Sequence, residues 1–178
     1  QAMIHIEDRG YQFSDGVYEV ISVINDQFLD GEKHLERLER SLKELMITLP
    51  MPVKNLKFIM RELLRRNYIK NGNLYIQINR GVSKRNHKIP ENIRPSIVIT
   101  LLSSNNIAHL REEGVAVMSC KDMRWGRRDI KSISLLANIL AKDKALKSGA
   151  KEAWMLNDEN HVTEGSSTNA FIVSNDNT

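Results

Sequence analysis

The sequence predicts an α+β fold in which strands precede and follow a pair of helices. Two segments carry leucines and other apolar residues at the three- and four-residue spacing of an amphipathic helix. The segments on either side are rich in β-branched and aromatic residues, which favour strands. The order strand–strand–helix–helix–strand–strand therefore predicts an α+β domain that closes near residue 102.

The first elements are predicted from short apolar runs. The apolar residues at 3–6 predict the end of a strand, and residues 7–10 predict a polar turn. Residues 15–24 are rich in β-branched and aromatic residues and are largely apolar on both faces, which predicts a central strand buried on both faces. A polar pair then predicts a turn into a short hairpin strand at 27–29.

Two helices and two further strands complete this region. Helical spacing begins at residue 32, and the first helix is expected to end before Pro50. The second helix is predicted over 53–71, because an Asn-Gly pair typical of helix ends follows its apolar stripe. Residues 74–80 alternate in polarity and residues 96–102 are nearly all apolar, so both predict strands.

The chain is predicted to contain a small N-terminal domain at 1–102, a linker at 103–110 and part of a larger domain at 111–178. The linker is predicted from the polar, turn-forming residues at its start. Because a polar turn ends the chain with no partner strand after it, we expect the larger domain to be truncated. Its predicted elements are strands at 114–119, 152–156, 161–163 and 169–173 and a helix at 132–147.

Composition narrows the classes of function. The net charge is +4, but the basic clusters at 61–66 and 124–128 contain one aromatic residue, Trp125, and match no nucleic-acid-binding module. No nucleic-acid partner is therefore expected. No apolar run approaches the roughly 18 residues that cross a bilayer, so no membrane partner is expected either. The single cysteine, Cys120, excludes an internal disulfide and favours the cytoplasm. No metal site is predicted.

Lys131 and Glu164 are the first candidates for chemistry. A lysine becomes a useful nucleophile when burial or nearby positive charge deprotonates its amine. Lys131 follows a cluster of arginines at 124–128 and precedes an apolar segment, so both effects are available. Glu164 heads a run of hydroxyl residues at 166–168. Each residue alone is more typical of a solvated surface or a turn than of catalysis, so the pair leaves the function open.

The motifs taken together resemble those of the class IV aminotransferases, which are pyridoxal-phosphate enzymes of the branched-chain and D-amino-acid type. The resemblance covers nearly the whole chain, and its motifs occur in the family's order. They are the segments Asp8-Arg9-Gly10-Tyr11-Gln12-Phe13, Asp15-Gly16-Val17-Tyr18-Glu19, His34-Leu35-Glu36-Arg37-Leu38, Asp129-Ile130-Lys131-Ser132 and Thr163-Glu164-Gly165-Ser166-Ser167-Thr168-Asn169.

The resemblance implies a role for each cofactor-binding residue. Lys131 would bond the cofactor covalently and move the substrate proton, and Glu164 would face the pyridine nitrogen. Arg37 would bind the phosphate through its planar set of donors. Tyr18 would donate a hydrogen bond to the phenolic oxygen of the cofactor. Hydroxyls around the ring and phosphate would come from Ser167 and Thr168, with Ser166 as a further candidate.

The substrate site is implied by the segment Arg80-Gly81-Val82-Ser83-Lys84-Arg85-Asn86-His87. Its Arg85-x-His87 pattern resembles the carboxylate-binding residues of the bacterial D-amino-acid aminotransferases. Tyr75 would line the same pocket, and Tyr18 would help to enclose the carboxylate. A D-alanine-type substrate, 2-oxoglutarate as acceptor and a homodimer with a shared pocket are therefore expected.

Other functions fit the same motifs. An aminodeoxychorismate lyase or a branched-chain aminotransferase would share the cofactor residues and differ in the pocket loops. A truncated, non-catalytic homologue that serves as a binding module is an alternative of another class, and a basic nucleic-acid binder is the least favoured.

Overall fold

A computed structural model describes residues 3–103 and 108–175, which form two compact units. The first unit contains the described residues up to 103 together with Arg127–Ile133, and the second contains those of 108–126 and 134–175. Each unit combines helices with a β-sheet, so the predicted α+β class is confirmed. The domain boundaries at 102 and 111 stay predictions.

The first unit is built on a four-stranded antiparallel sheet in the order β2-β1-β3-β4. Its central strands pair along their full length, from Gly16 opposite Asn79 to Val23 opposite Gly72. The second strand is very short and pairs with only two residues of the first. The strands are β1 (Gly16–Ile24), β2 (Gln27–Phe28), β3 (Gly72–Asn79) and β4 (Ser96–Ser103).

The first unit contains the helices α1 (Arg9–Phe13), α2 (Gly31–Glu44) and α3 (Val53–Asn67). Of these, α2 and α3 pack on one face of the sheet. The spacing of buried residues on α2 and α3 is the helical spacing that the sequence predicts. The resulting core includes Ile21, Leu38, Leu42, Leu56, Met60, Leu74, Ile76 and Ile78.

The second unit contains a three-stranded sheet in the order β5-β6-β7. Its first two strands are parallel and are connected through α5, whereas the last two are antiparallel. A small alanine-rich core lies between this helix and the sheet. The elements are α4 (Ala108–Glu113), β5 (Val117–Lys121), α5 (Leu136–Lys147), β6 (Glu152–Leu156) and β7 (Val162–Gly165).

Two predicted strands are wrong. Residues 3–6 form no strand, and Ile4 and Ile6 are exposed. The chain instead enters α1, which Asp8 caps by accepting a 2.8 Å hydrogen bond from the Gly10 amide. Residues 169–173 also form no strand, and Phe171, Ile172 and Val173 are exposed there.

Other limits differ from the predictions for local reasons. The helix predicted from residue 132 begins at Leu136, because the preceding residues pair with β1 instead. The helix predicted to residue 71 ends at Asn67, where Tyr68 adopts a left-handed conformation. The central position of β1 is confirmed, but its burial on both faces is wrong, since Val20 and Ile24 are exposed.

The predicted linker at 103–110 falls partly outside the described residues, which omit 104–107. Of the rest, Ser103 ends β4 and Ala108 begins α4. No helix among residues 3–103 and 108–175 is long and apolar enough to cross a membrane.

Gly81 is expected to be the least replaceable residue at the end of β3. Its φ is +124°, and an added Cβ would lie 2.1 Å from the Arg94 carbonyl oxygen. We predict that Gly81→Ala lowers the free energy of unfolding of the first unit by about 2 kcal/mol or more, because a strained backbone and a backbone clash combine. Urea denaturation followed by circular dichroism measures the change.

Gly126→Ala is the matched control, because a Cβ at Gly126 would meet no atom within 4 Å. This variant should unfold within about 0.5 kcal/mol of the unchanged protein. Equal destabilisation by the two variants would contradict the assignment of strain to Gly81.

Candidate active site

The segment that carries Lys131 is paired with the edge of β1. The Tyr18 amide donates a 3.0 Å hydrogen bond to the Lys131 carbonyl, and the Ile133 amide donates a 3.1 Å bond to the Gly16 carbonyl. Val17 and Ser132 form an antiparallel bridge between these two bonds. This edge is available because β2 pairs with β1 only at its far end. Lys131 is thereby held beside Tyr18.

Contacts with α2 hold the same segment from the other side. The Lys131 amide donates a 3.3 Å bond to the Ser41 hydroxyl, and Ile130 is buried in the core of the first unit. Arg127 donates to Asp129 at 2.9 Å and to Glu44 at 2.5 Å. These contacts fix the backbone on either side of Lys131. The pairing with β1 then determines where the Lys131 side chain lies.

Two tyrosines of the sheet lie next to the Lys131 amine. Its Nζ atom is 4.6 Å from the centre of the Tyr18 ring, within the range of a cation–π contact. The ring of Tyr75 is 5.8 Å further on, between centroids. These two residues belong to neighbouring strands and share the sheet face opposite the helical core. The structure therefore brings together three predicted site residues.

Arg37 lies on α2, one helical turn before Ser41. Its Nε and Nη2 atoms donate hydrogen bonds of 2.6 and 2.8 Å to the two carboxylate oxygens of Glu19. Glu19 is fully buried, and His34 is 2.8 Å from the same carboxylate. The bidentate pair fixes the plane of the guanidinium. The predicted phosphate-binding role of Arg37 stays a prediction.

Arg85 and His87 converge on one aromatic ring. The Arg85 guanidinium carbon lies 4.7 Å from the centre of the Phe13 ring, and the His87 ring lies 5.3 Å from it between centroids. Arg9 approaches the same ring at 4.8 Å and donates a 2.6 Å bond to the Asn86 carbonyl. The loop is thus attached to α1, and both predicted carboxylate-binding side chains are exposed at its surface.

Glu164 lies on β7 in the second unit and forms an ion pair with Arg124. The Arg124 guanidinium also donates to both oxygens of Asp122, at 3.1 and 2.9 Å. The Thr163 hydroxyl donates a 2.7 Å bond to the same carboxylate. Burial alone would raise the pKa of Asp122, but the Arg124 and Thr163 hydrogen bonds hold that pKa well below its ordinary value.

These ion pairs change the predicted role of the arginine cluster. The sequence places positive charge close to Lys131, but Arg127 binds Glu44 and Asp129, and the hydrogen bonds that Arg127 donates to these acids raise its pKa. In the second unit Arg124 is likewise held between Asp122 and Glu164. The positive charges of Arg124 and Arg127 are therefore compensated by carboxylates.

The predicted hydroxyl cluster contacts Glu152, which the sequence interpretation did not single out. Ser166 donates to one carboxylate oxygen, and the Ser167 hydroxyl donates to the other at 2.7 Å. Burial would raise the pKa of Glu152, but hydrogen bonds from Ser166, Ser167, the Ala153 amide and Thr168 lower it to about 2. An acidic residue at the start of an otherwise apolar strand is the sequence signal that could have identified Glu152.

Residues 16–178 match the profile of the family described as amino-transferase class IV, so the chain belongs to the class IV aminotransferase family. The resemblance inferred from the motifs is confirmed. The chain is 40% identical over 174 residues to the D-alanine aminotransferase of Staphylococcus haemolyticus. That alignment includes 97% of this chain and 61% of the relative, so the chain spans about three fifths of the relative's length.

Solved structures of the same fold include enzymes with other activities. The 4-amino-4-deoxychorismate lyase of Pseudomonas aeruginosa has a TM-score of 0.76 at 21% identity, over 94% of this chain and 62% of that one. The branched-chain aminotransferase of the archaeon Thermoproteus uzoniensis, solved with norvaline, has a TM-score of 0.80 at 23% identity, over 93% and 58% of the two chains. These likenesses establish the fold.

The Glu152 cluster should make the second unit sensitive to acid. The folded-state pKa of Glu152 is about 2, below its ordinary value of 4.5. The contribution of Glu152 to the stability of the folded state is therefore fully present above pH 4.5 and is lost as the pH falls toward 2. We predict that Glu152→Gln flattens the loss of stability across this interval, measured as the urea midpoint against pH.

Glu159→Gln provides the control, because the Glu159 side chain is 76% exposed. This variant should lose stability with falling pH as steeply as the unchanged protein. A Glu152→Gln protein that keeps the original acid slope would exclude the hydroxyl–carboxylate cluster as its source.

Proposed function

We propose that this chain carries the lysine part of a pyridoxal-phosphate-dependent aminotransferase that moves the amino group of a D-amino acid to a 2-oxo acid. D-alanine is the proposed donor and 2-oxoglutarate the proposed acceptor. The observation that carries the proposal is the Lys131 amine, held 4.6 Å from the Tyr18 ring by a segment paired with β1. Identity of 40% with a D-alanine aminotransferase supports this choice of substrate.

The donor set of the first unit fits the proposed cofactor. Lys131 supplies the amine for a covalent bond, and Arg37 supplies a guanidinium one helical turn from the Ser41 contact to Lys131. Glu19 orients that guanidinium in advance, so less conformational freedom is lost when a phosphate binds. When bound, pyridoxal phosphate would supply the electron sink for the reaction.

One residue of the chain would transfer protons, and others would stabilise the charges on the cofactor. Lys131 would remove the proton from the substrate Cα atom and return a proton at the end of the transfer. Tyr18 would donate a hydrogen bond to the phenolic oxygen. In the second unit, Glu164, which forms an ion pair with Arg124, would face the pyridine nitrogen. Ser167 and Thr168 would complete the cofactor contacts.

Arg85 and His87 would bind the substrate α-carboxylate. Their shared contact with Phe13 supports a common site for one anion, since it keeps both side chains on the same part of the loop. We also propose a homodimer whose subunits share this pocket, and a cytoplasmic location that the single cysteine supports. Aminodeoxychorismate lyase and branched-chain aminotransferase activities are the alternatives that substrate assays must separate.

Lys131→Ala should abolish covalent attachment of the cofactor. The purified protein with added pyridoxal phosphate should gain visible absorption, and borohydride should fix the cofactor to Lys131, as detected by mass spectrometry of peptides. Lys33→Ala is the control, because the Lys33 side chain lies on α2 and is 79% exposed. This control should retain both signals. A colourless unchanged protein without a fixed adduct would rule out the proposed cofactor.

Arg85→Ala should weaken substrate binding while cofactor binding persists. A charged hydrogen bond is worth roughly 1.5–3 kcal/mol, so the KM for D-alanine should rise about tenfold or more. Arg66→Ala is the control, because Arg66 lies on α3 with a 72% exposed side chain. Greater activity with L-leucine or with aminodeoxychorismate than with D-alanine would favour the alternatives.

A further inference from the structure

A chain of side-chain hydrogen bonds runs along one face of the first sheet. The Tyr75 hydroxyl donates to the side-chain oxygen (Oε1) of Gln77 at 2.6 Å. The side-chain nitrogen (Nε2) of Gln77 donates to the side-chain oxygen (Oδ1) of Asn79 at 2.8 Å. The side-chain nitrogen (Nδ2) of Asn79 donates to Asp8 Oδ1 at 2.8 Å. The first three residues alternate along β3, so their side chains lie in one row on the same face.

Asp8 determines the direction of every bond in this row. A carboxylate accepts hydrogen bonds and donates none, so Asn79 must turn its NH₂ group to Asp8 and its oxygen to Gln77. Gln77 must then turn its NH₂ group to Asn79 and its oxygen to Tyr75. The Tyr75 proton is consequently directed to Gln77. Asp8 also accepts bonds from the Gly10 amide at 2.8 Å and the Ser96 hydroxyl at 2.6 Å, which occupies both of its oxygens.

Close packing prevents Asn79 from turning out of the row. A Cβ added at Gly10 would lie 2.2 Å from the Asn79 amide nitrogen, and one added at Gly16 would lie 2.6 Å from its oxygen. The two glycines therefore enclose a buried amide whose position is sterically restricted. With its position restricted, only the contact with Asp8 decides which end of the amide faces Gln77.

We propose that Tyr75 is a specificity-determining residue that accepts a hydrogen bond from the ligand. Through Asn79 and Gln77, Asp8 directs the hydroxyl proton of Tyr75 to Gln77, so the Tyr75 oxygen is left to act as an acceptor. The inference rests on the proposed function, since Tyr75 lies 5.8 Å from Tyr18, whose ring contacts the Lys131 amine. Burial and the neighbouring Tyr18 raise the pKa of Tyr75, so its hydroxyl keeps the proton that it shares in the hydrogen bond to Gln77.

In the proposed pocket, hydrogen-bond donors and the hydrogen-bond acceptor therefore come from different residues. Arg85 and His87 present donors, which suit the carboxylate of the substrate. The Tyr75 oxygen presents lone pairs, which suit an N–H or O–H group and repel a carboxylate. The chemical class that Tyr75 favours is therefore the protonated amine of an amino acid, and the amino donor should depend on it more than the oxo acid does.

The direction of the row can be tested in the ligand-free protein by labelling the tyrosine ring carbons with ¹³C and following their resonances against pH. The Tyr75 resonance is assigned by its loss in Tyr75→Phe. In Asp8→Ala the acceptor of the Asn79 NH₂ group is removed. The amides of Asn79 and Gln77 are then free to reverse and to donate to the phenolate, so Tyr75 should titrate at a lower pH. Ser96→Ala keeps the Asp8 carboxylate and should leave the Tyr75 titration unchanged.

The role toward the ligand is tested in the holoenzyme with Tyr75→Phe, which keeps the ring and removes the acceptor. The KM for D-alanine should rise about tenfold, whereas the KM for pyruvate should change less than about twofold. Asp8→Ala should shift the two constants in the same sense, and Ser96→Ala should shift neither. Cofactor binding should persist in all three variants.

Each result decides the proposal. A Tyr75 titration that is identical in Asp8→Ala and the unchanged protein, or one that Ser96→Ala shifts equally, overturns the directed row. A larger rise in KM for pyruvate than for D-alanine shows that Tyr75 donates, and it also overturns the inference. If the protein transfers no amino groups at all, the proposed function fails, but the titration still decides the direction of the row. Should Asp8→Ala not fold, Tyr75→Phe alone decides between acceptor and donor.

Discussion

The candidate site of the first unit depends on the pairing of residues 131–133 with the edge of β1. Because β2 is only two residues long, the edge at Gly16–Tyr18 is left for a segment that is more than a hundred residues away in the chain. Main-chain hydrogen bonds of 3.0 and 3.1 Å fix this segment. A full-length β2 would occupy the same backbone groups, and Lys131 would then have no defined position beside Tyr18.

A second constraint is the compensation of charge around the arginines. Arg37 is held by buried Glu19, Arg124 by Asp122 and Glu164, and both Arg9 and Arg80 by Asp15. Burial alone would raise the pKa of Asp15, but these two arginines lower it. Each carboxylate reduces the cost of burying a guanidinium and fixes its orientation. The net charge of +4 therefore gives little information about these arginines.

Local pattern predicted the fold well where one periodicity held over a whole element. The leucine spacing of α2 and α3 and the alternation of β3 identified these elements. Prediction failed at residues 3–6 and 169–173, where short apolar runs form no strand. The motifs predicted Lys131 and Tyr18 as site residues, but a pattern cannot show that Glu19 binds Arg37 or that Glu152 accepts hydrogen bonds from Ser166 and Ser167. Those contacts join residues that only the tertiary fold brings together.

Strand geometry explains why Tyr18 and Glu19 are both needed at adjacent positions of β1. Successive side chains of a strand point to opposite faces, so Tyr18 lies on the face that carries Tyr75 while Glu19 enters the face covered by α2. Tyr18 therefore contacts the Lys131 amine, and Glu19 simultaneously orients Arg37 on the helix. A shift of one residue in the register of β1 would exchange the two faces, burying the phenol in the core and exposing the carboxylate. The full-length pairing of β1 with β3 prevents that shift, so the sheet register itself positions both groups.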